Sequence, residues 1–361
     1  KDSTGIQQAI NDLPPEGGEV YLPEGTYTIT ATITIPSYVT IEGAGATSTI
    51  LYLADGANST VFTNADHTNG NTGIEIRNLK IDGNDAGNTG VCHGIYFNNV
   101  NYSKIENVWI YDVEDYGVFL YNSDYNIISD SKFDSSPIVL DQGATNNIIS
   151  DNYLLNNGGW GGVAIGYPGC HYNIVKGNTF ENNAYGITIL DYVDHNVISN
   201  NYFYNTTYVA IELHAYNQYT SITGNIIKNY GSAGIRLKGA DNNSITGNTI
   251  VDDGTNTGIV LSDQYGQNGN TISSNYIYVP DGHGIVLQNA SHHNVIVGNV
   301  IEGDGAGDSA DDGIYIRGDS DNNIISSNRI RNKDRYGINI SSTSSENNYI
   351  IGNTISGTQL D

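Results

Sequence analysis

Large apolar residues recur at every second position in short runs such as Gly186-Ile187-Thr188-Ile189, Gly258-Ile259-Val260-Leu261 and Gly313-Ile314-Tyr315-Ile316. This is the alternation of a strand with one buried face. Nearly every such run is followed by a second phrase, N-x-I-x-x-N, as in Asn147-Ile148-Ile149-Ser150-Asp151-Asn152 and Asn323-Ile324-Ile325-Ser326-Ser327-Asn328. The second phrase opens at 126, 147, 173, 196, 220, 243, 270, 294, 323 and 348, so the period drifts between 21 and 29 residues. One structural rung repeated with loops of varying length gives that drift, and no stretch after residue 15 sustains a helical stripe. The pattern therefore predicts an all-β solenoid, a right-handed parallel β-helix of about eleven to thirteen coils, and it excludes helical repeats.

The repeat also organises the two ends of the rung. Gly, Asn, Asp and Ser fall where tight turns are needed. The asparagine closing each phrase (Asn78, Asn107, Asn152, Asn178, Asn201, Asn225, Asn248, Asn275, Asn299, Asn328 and Asn353, with Ser131 as the one break) reads as a ladder of amides hydrogen-bonded up the stack at a spacing of about 4.8 Å. Before the coils, Asp2-Ser3-Thr4-Gly5-Ile6-Gln7-Gln8-Ala9-Ile10-Asn11 carries cap residues and an amphipathic turn or two. Residues 1–15 are thus expected to form a helix plugging the end of a single domain whose coils occupy 16–361. This opening, with Gly17-Gly18-Glu19-Val20-Tyr21-Leu22-Pro23-Glu24-Gly25-Thr26-Tyr27, resembles the start of extracellular polysaccharide-handling proteins of the pectate lyase-like superfamily. The resemblance spans almost the whole chain, and it implies a substrate cleft along one exposed parallel sheet.

Composition narrows the partners. Fourteen basic against 39 acidic residues give a net charge of −25, which argues against nucleic acid and anionic membrane surfaces. No apolar run reaches transmembrane length, and the chain opens at Lys1 without a leader, as a mature or excised segment would. The expected place is extracellular or on the cell surface; sequons such as Asn205-Thr206-Thr207 permit glycosylation where the host performs it. Cys92 and Cys170 fall three coils apart, on the order of 14 Å along the axis, too far for a disulfide, so two free thiols are expected.

Chemistry must come from outward side chains of the G-I-x-I strand. Alternation places Tyr96/Asn98, Phe119/Tyr121, Val139/Asp141, Ala164/Gly166, Thr188/Leu190, Glu212/His214, Arg236/Lys238, Val260/Ser262, Val286/Gln288, Tyr315/Arg317 and Asn339/Ser341 on that face. Glu212 and His214 then lie beside Arg236 and Lys238 on the next coil, so a carboxylate, an imidazole, a guanidinium and an ammonium share one patch. Arg236 and Lys238 can grip a uronate carboxylate while Lys238 or His214 removes the proton at C5. Tyr208, Tyr216 or Tyr192 can donate a proton, with Glu212 and Asp191 lining the substrate. The bland reading is an exposed cross-strand pair of Glu212 with Arg236, worth under about 1 kcal/mol.

Two further likenesses bear on this. Arg77-Asn78-Leu79-Lys80-Ile81-Asp82-Gly83-Asn84 with Asp115-Tyr116-Gly117-Val118-Phe119-Leu120-Tyr121 is similar to the catalytic region of the mannuronan C5-epimerases, with Tyr116 and Asp141 at matching places. Tyr116, Tyr121 and Asp141 are therefore substrate-binding candidates. Phe119 and Tyr121 stand where that family has Asp and His, so the resemblance does not carry epimerase chemistry to this spot. Gly234-Ile235-Arg236-Leu237-Lys238 resembles the R-I-K carboxylate grip of polygalacturonases, whose acidic motifs are absent from the preceding coils, leaving no acid and base for hydrolysis. Ca²⁺ is the candidate cofactor, at Asp304, Asp308, Asp311 and Asp312, with Asp82/Asn84/Asp85 as a lesser choice. The leading expectation is a polyuronate lyase or epimerase-like enzyme; a non-catalytic sugar-binding or adhesive domain and a structural rod are the alternatives.

Overall fold

The computed structural model describes residues 1–166, 168–262, 266–307 and 311–358. The chain folds as a right-handed parallel β-helix opened by one helix, and it divides into two compact units, Lys1–Thr179 and Phe180–Asp361. Each coil contributes one strand to each of three parallel stacks, called here sheets I, II and III.

In the first unit, sheet I includes Lys104–Glu106, Ile127–Ser129 and Ile148–Ser150; sheet II includes Trp109–Tyr111, Lys132–Asp134 and Tyr153–Leu155; sheet III includes Ile95–Asn98, Val118–Tyr121, Ile138–Asp141 and Val163–Ile165. The helix spans Ser3–Asn11, shorter than the expected 1–15. The Asp2 side chain accepts from Gly5 N at 2.9 Å, and Ile6 and Ile10 are buried. In the second unit, sheet III runs Tyr185–Ile189, Val209–Leu213, Ala233–Leu237, Thr257–Leu261, Ile285–Leu287, Asp312–Ile316 and Tyr336–Ile340 in register. Among the described residues sheets I and II each count fourteen strands, slightly more coils than expected.

The predicted inward row holds: Ile95, Val118, Ile187, Ile211, Ile235, Ile259, Ile285 and Ile314 are fully buried, and Ile338 is half-buried. The glycine opening the G-I-x-I phrase answers to close approach. A Cβ on Gly258 would come within 2.6 Å of both Gly284 O and Ile277 Cγ2.

The turn from sheet I to sheet II takes two residues in coil after coil. Its first residue is left-handed (Asn107, Asp130, Asp151 and Gly177 in one unit; Asn200, Gly224, Gly247, Ser274, Gly298, Ser327 and Gly352 in the other), and the second carries the ladder. Asn225 Nδ2 donates to Asn248 Oδ1 at 2.9 Å, Asn248 to Asn275 at 3.0 Å, Asn275 to Asn299 at 2.9 Å and Asn299 to Asn328 at 2.9 Å. Asn78 and Asn107 are corrections to the expected ladder. Both occupy the left-handed position one residue earlier, where Asn107 Nδ2 still donates to Asn78 Oδ1 at 2.8 Å, and Leu79 and Val108 stand at the ladder position, in register with Ser131. A second ladder runs through the phrase-opening asparagines: Asn126–Asn147–Asn173 in the first unit, Asn270–Asn294–Asn323–Asn348 in the second. Cys92 and Cys170 are buried and are not joined in a disulfide. Among the described residues no helix is long and apolar enough to cross a membrane.

Candidate functional site

Sheet III of the second unit brings the expected patch together. Glu212 faces Arg236 in register. Its Oε1 lies 2.7 Å from Lys238 Nζ, as an ion pair rather than a well-aligned hydrogen bond, and 3.6 Å from Arg236 Nη1; Oε2 lies 3.6 Å from His214 Nε2. The expectation of an exposed pair with Arg236 is overturned, because the Glu212 side chain is only 2% exposed and its nearer partner is Lys238. Burial alone would raise its carboxyl, but hydrogen bonding and charge from His214 and Lys238 outweigh it and hold the group at about 2. Strict alternation of exposure fails here more widely: Val139, Ala164, Thr188 and Val286 also point outward yet are buried. Their side chains are short.

Around this core, His214 Nδ1 lies 3.9 Å from Asp191 Oδ1, and Arg236 donates to Ser232 Oγ. Tyr192 and Tyr216 stack at 4.6 Å in the turn at the His214 end of the strands. Tyr208 sits before the strand Val209–Leu213 with its ring 5.3 Å from Tyr185; at about 3.3 Å per residue it is roughly 20 Å along the strand from His214, so the two are not brought together. A cavity of about 320 Å³ continues from Arg236 and Lys238 past Val260, Ser262 and Val286 to His283, Gln288 and Arg317. Arg317 Nε donates to Gln288 Oε1 at 2.8 Å.

Beyond it, Asp312 is fully buried: Arg335 Nε and Asn339 Nδ2 donate to its carboxylate at 2.9 Å each, and its backbone N–H donates to His283 Nδ1 at 2.9 Å. His283 and Asp312 were missed from sequence, because strict alternation counted back from the inward Ile285 and Ile314 turns them inward; the glycine between breaks the alternation by facing the interior as well, a Cβ on Gly284 or Gly313 meeting Ile301 or Ile330 at 2.4 Å. His93 and Tyr116 hold that place in the first unit. There Tyr121 faces Asp141, whose carboxyl burial raises, and Tyr116 stacks on His93 at 5.3 Å.

The metal candidates are separated. Asp304 converges with Asp281 and Asp334, ligand atoms within 4.8 Å of one another, whereas Asp311 pairs with the fully buried Lys333 and Asp312 with Arg335. Asp308 lies outside the described residues. Asp82 pairs with Lys80 at 2.8 Å. A groove of about 540 Å³ lies by the two-residue corner of the first unit around Trp109 and Lys132. Lys132 faces Asp134 and stands over the Trp109 ring. Lys132 is thus already engaged.

A family model described as the right-handed β-helix region matches residues 93–217, and one described as the periplasmic copper-binding protein NosD matches 159–278 and 213–304. No curated protein matches the chain. Among solved structures, the Azotobacter vinelandii mannuronan C-5 epimerase AlgE6 A-module superposes with a TM-score of 0.67 at 19% identity over 98% of this chain and 94% of its own. Tailspike protein 3 of bacteriophage CBA120 gives 0.73 at 16% over 97% and 58%, and the periplasmic alginate epimerase AlgG gives 0.63 at 15% over 98% and 83%. Copper does not fit the side chains present. The chain has no Met, and the one group of three metal-capable side chains among the described residues is Asp281, Asp304 and Asp334, all hard oxygen donors. The chain shares the right-handed parallel β-helix fold of these proteins.

Proposed function

We propose that the protein acts on a uronate-containing polysaccharide outside the cytoplasm, binding it over sheet III of the second unit and abstracting the C5 proton as a lyase or epimerase does. The observation that carries this reading is the buried, ionised Glu212 held among His214, Lys238 and Arg236 at the mouth of a cationic groove. One carboxylate against two permanent cations leaves a net positive charge for one uronate carboxylate, so Glu212 does not repel the ligand. Lys238, paired with Glu212 at 2.7 Å, serves as the grip rather than the base. His214, flanked by Glu212 and Asp191, is the base: it takes the C5 proton, and the electron pair moves onto the carboxylate that Arg236 and Lys238 neutralise. Collapse with a proton from Tyr216 or Tyr192 to the leaving oxygen gives elimination, and return of a proton to the opposite face of C5 gives epimerisation. Neighbours named as alginate epimerases and as a periplasmic enzyme support substrate class and place. Binding without turnover is the second reading, favoured by the bond tying Arg236 to Ser232.

The test is to incubate wild type, Lys238→Ala and His214→Gln with polygalacturonate and alginates, following binding, absorbance near 235 nm and C5 configuration by NMR. Wild type turns over, His214→Gln binds without turnover, and Lys238→Ala does neither. Binding without turnover in wild type selects the second reading, and no binding to any polyuronate overturns the proposal.

A further inference from the structure

We propose that the first unit carries a separate subsite for an uncharged sugar ring, built on Trp160, Tyr116 and Asp115. A cavity of about 380 Å³ opens between the turn preceding Val118–Tyr121 and the turn from Tyr153–Leu155 to Val163–Ile165; it is lined by Glu114, Asp115, Tyr116, Val139, Asn156 and Trp160 among others. Trp160 is 51% exposed on a surface otherwise rich in polar groups, presenting an indole on which the C–H face of a pyranose can stack. Behind the cavity wall, His93 is 5% exposed and its Nδ1 has no hydrogen-bond partner; the nearest carboxylate oxygen is Asp115 Oδ2 at 3.5 Å. His93 stacks on Tyr116 with the rings 11° from parallel, and Tyr116 meets Phe119 edge-on at 5.2 Å, so the Tyr116 ring is clamped before any ligand arrives. A rigid aromatic wall, a half-exposed indole, and carboxylate and amide acceptors for hydroxyl groups make up the usual equipment for a sugar.

Charge selects the kind of sugar. The lining includes Glu114 and Asp115 and neither Lys nor Arg, so a uronate is repelled where a neutral hexopyranose is not. The subsite is thus opposite in preference to the groove of the second unit and stands independently of the function proposed there.

The chain has two tryptophans, Trp109 and Trp160, so Trp109→Phe leaves Trp160 as the sole indole reporter, and in the unsubstituted protein the two indole N–H signals resolve the same question by NMR. Maltotetraose, cellotetraose, mannotetraose and chitotetraose are added at about 10 mM, enough to fill a site of millimolar Kd. At least one is expected to shift the Trp160 signal saturably. Asp115→Asn, read at Trp160, and Trp160→Ala, read from the sugar's own signals by saturation-transfer NMR, should each weaken that binding more than tenfold, Lys238→Ala should leave it unchanged, and trigalacturonate should be without effect. The proposal is overturned if no neutral tetrasaccharide moves the Trp160 signal, if trigalacturonate alone does, or if binding survives both substitutions.

Discussion

Replacing Glu212 by Gln keeps the volume of the side chain and removes the one negative charge that His214, Lys238 and Arg236 share. The folded chain holds this carboxyl at about 2 against an ordinary value of 4.5. A group depressed on folding stabilises the native state above its unfolded pKa, and the contribution fades as pH falls through the folded pKa. Two and a half units correspond to about 3 kcal/mol at neutral pH, lost between about pH 4.5 and 2. Coils need not unfold together, so hydrogen exchange at the amides of Val209–Leu213 and Ala233–Leu237 is the suitable assay. At pH 7 these amides should exchange about a hundredfold faster in Glu212→Gln. Near pH 2, after correction for intrinsic rates, the two proteins should agree within about twofold. A ratio below threefold at pH 7, or one that does not change with pH, would show that the ionised carboxylate is not what holds the cluster together.

Two other outcomes follow from the interior. Asn248→Ala removes bonds to Ile222 O, Asn225 and Asn275 from a fully buried rung and should cost about 3 kcal/mol or more, whereas Asn353→Ala, at a part-buried rung, should cost about 1 kcal/mol; thermal melts that rank them otherwise refute the ladder's role. His93, pushed down to about 4 by burial, should still be neutral at pH 5 by NMR. The unfolded chain then binds its proton first, so stability falls by about 3 kcal/mol between pH 6.5 and 4 in wild type and not in His93→Phe.

The strand alternation and the phrase Asn-x-Ile were enough to place the coils, the inward isoleucines and the convergence of Glu212 with Lys238, because parallel stacking puts equal repeat positions side by side. Depth was not legible. Whether an outward side chain is covered depends on the length of its neighbours' side chains, and for this reason Glu212 proved buried. The shift of Asn78 and Asn107 off the ladder was hidden for another reason: asparagine suits both a left-handed turn and an amide ladder, and only the register with Leu79 and Val108 distinguishes the two. The acidic run 304–312 misled because proximity in sequence is not proximity in a coil. Asp304 meets Asp281 and Asp334 from neighbouring turns, while Asp311 and Asp312 meet Lys333 and Arg335.

The two-residue corner between sheets I and II acts as a phase reset. Between sheets II and III the connection ranges from two residues (207–208) to twelve (83–94), yet the strands after each remain in register, because each coil from Asn78 onward begins its count again at the left-handed residue of the corner. Length errors therefore do not accumulate along a unit. A loop can be lengthened, exchanged or rewritten on one coil without disturbing the coil above or below it. Since the variable connections border sheet III and the fixed one does not, the wall of the groove is the part of this architecture most open to piecemeal change. Its ligand preference can drift one turn at a time while the interior stays as it is.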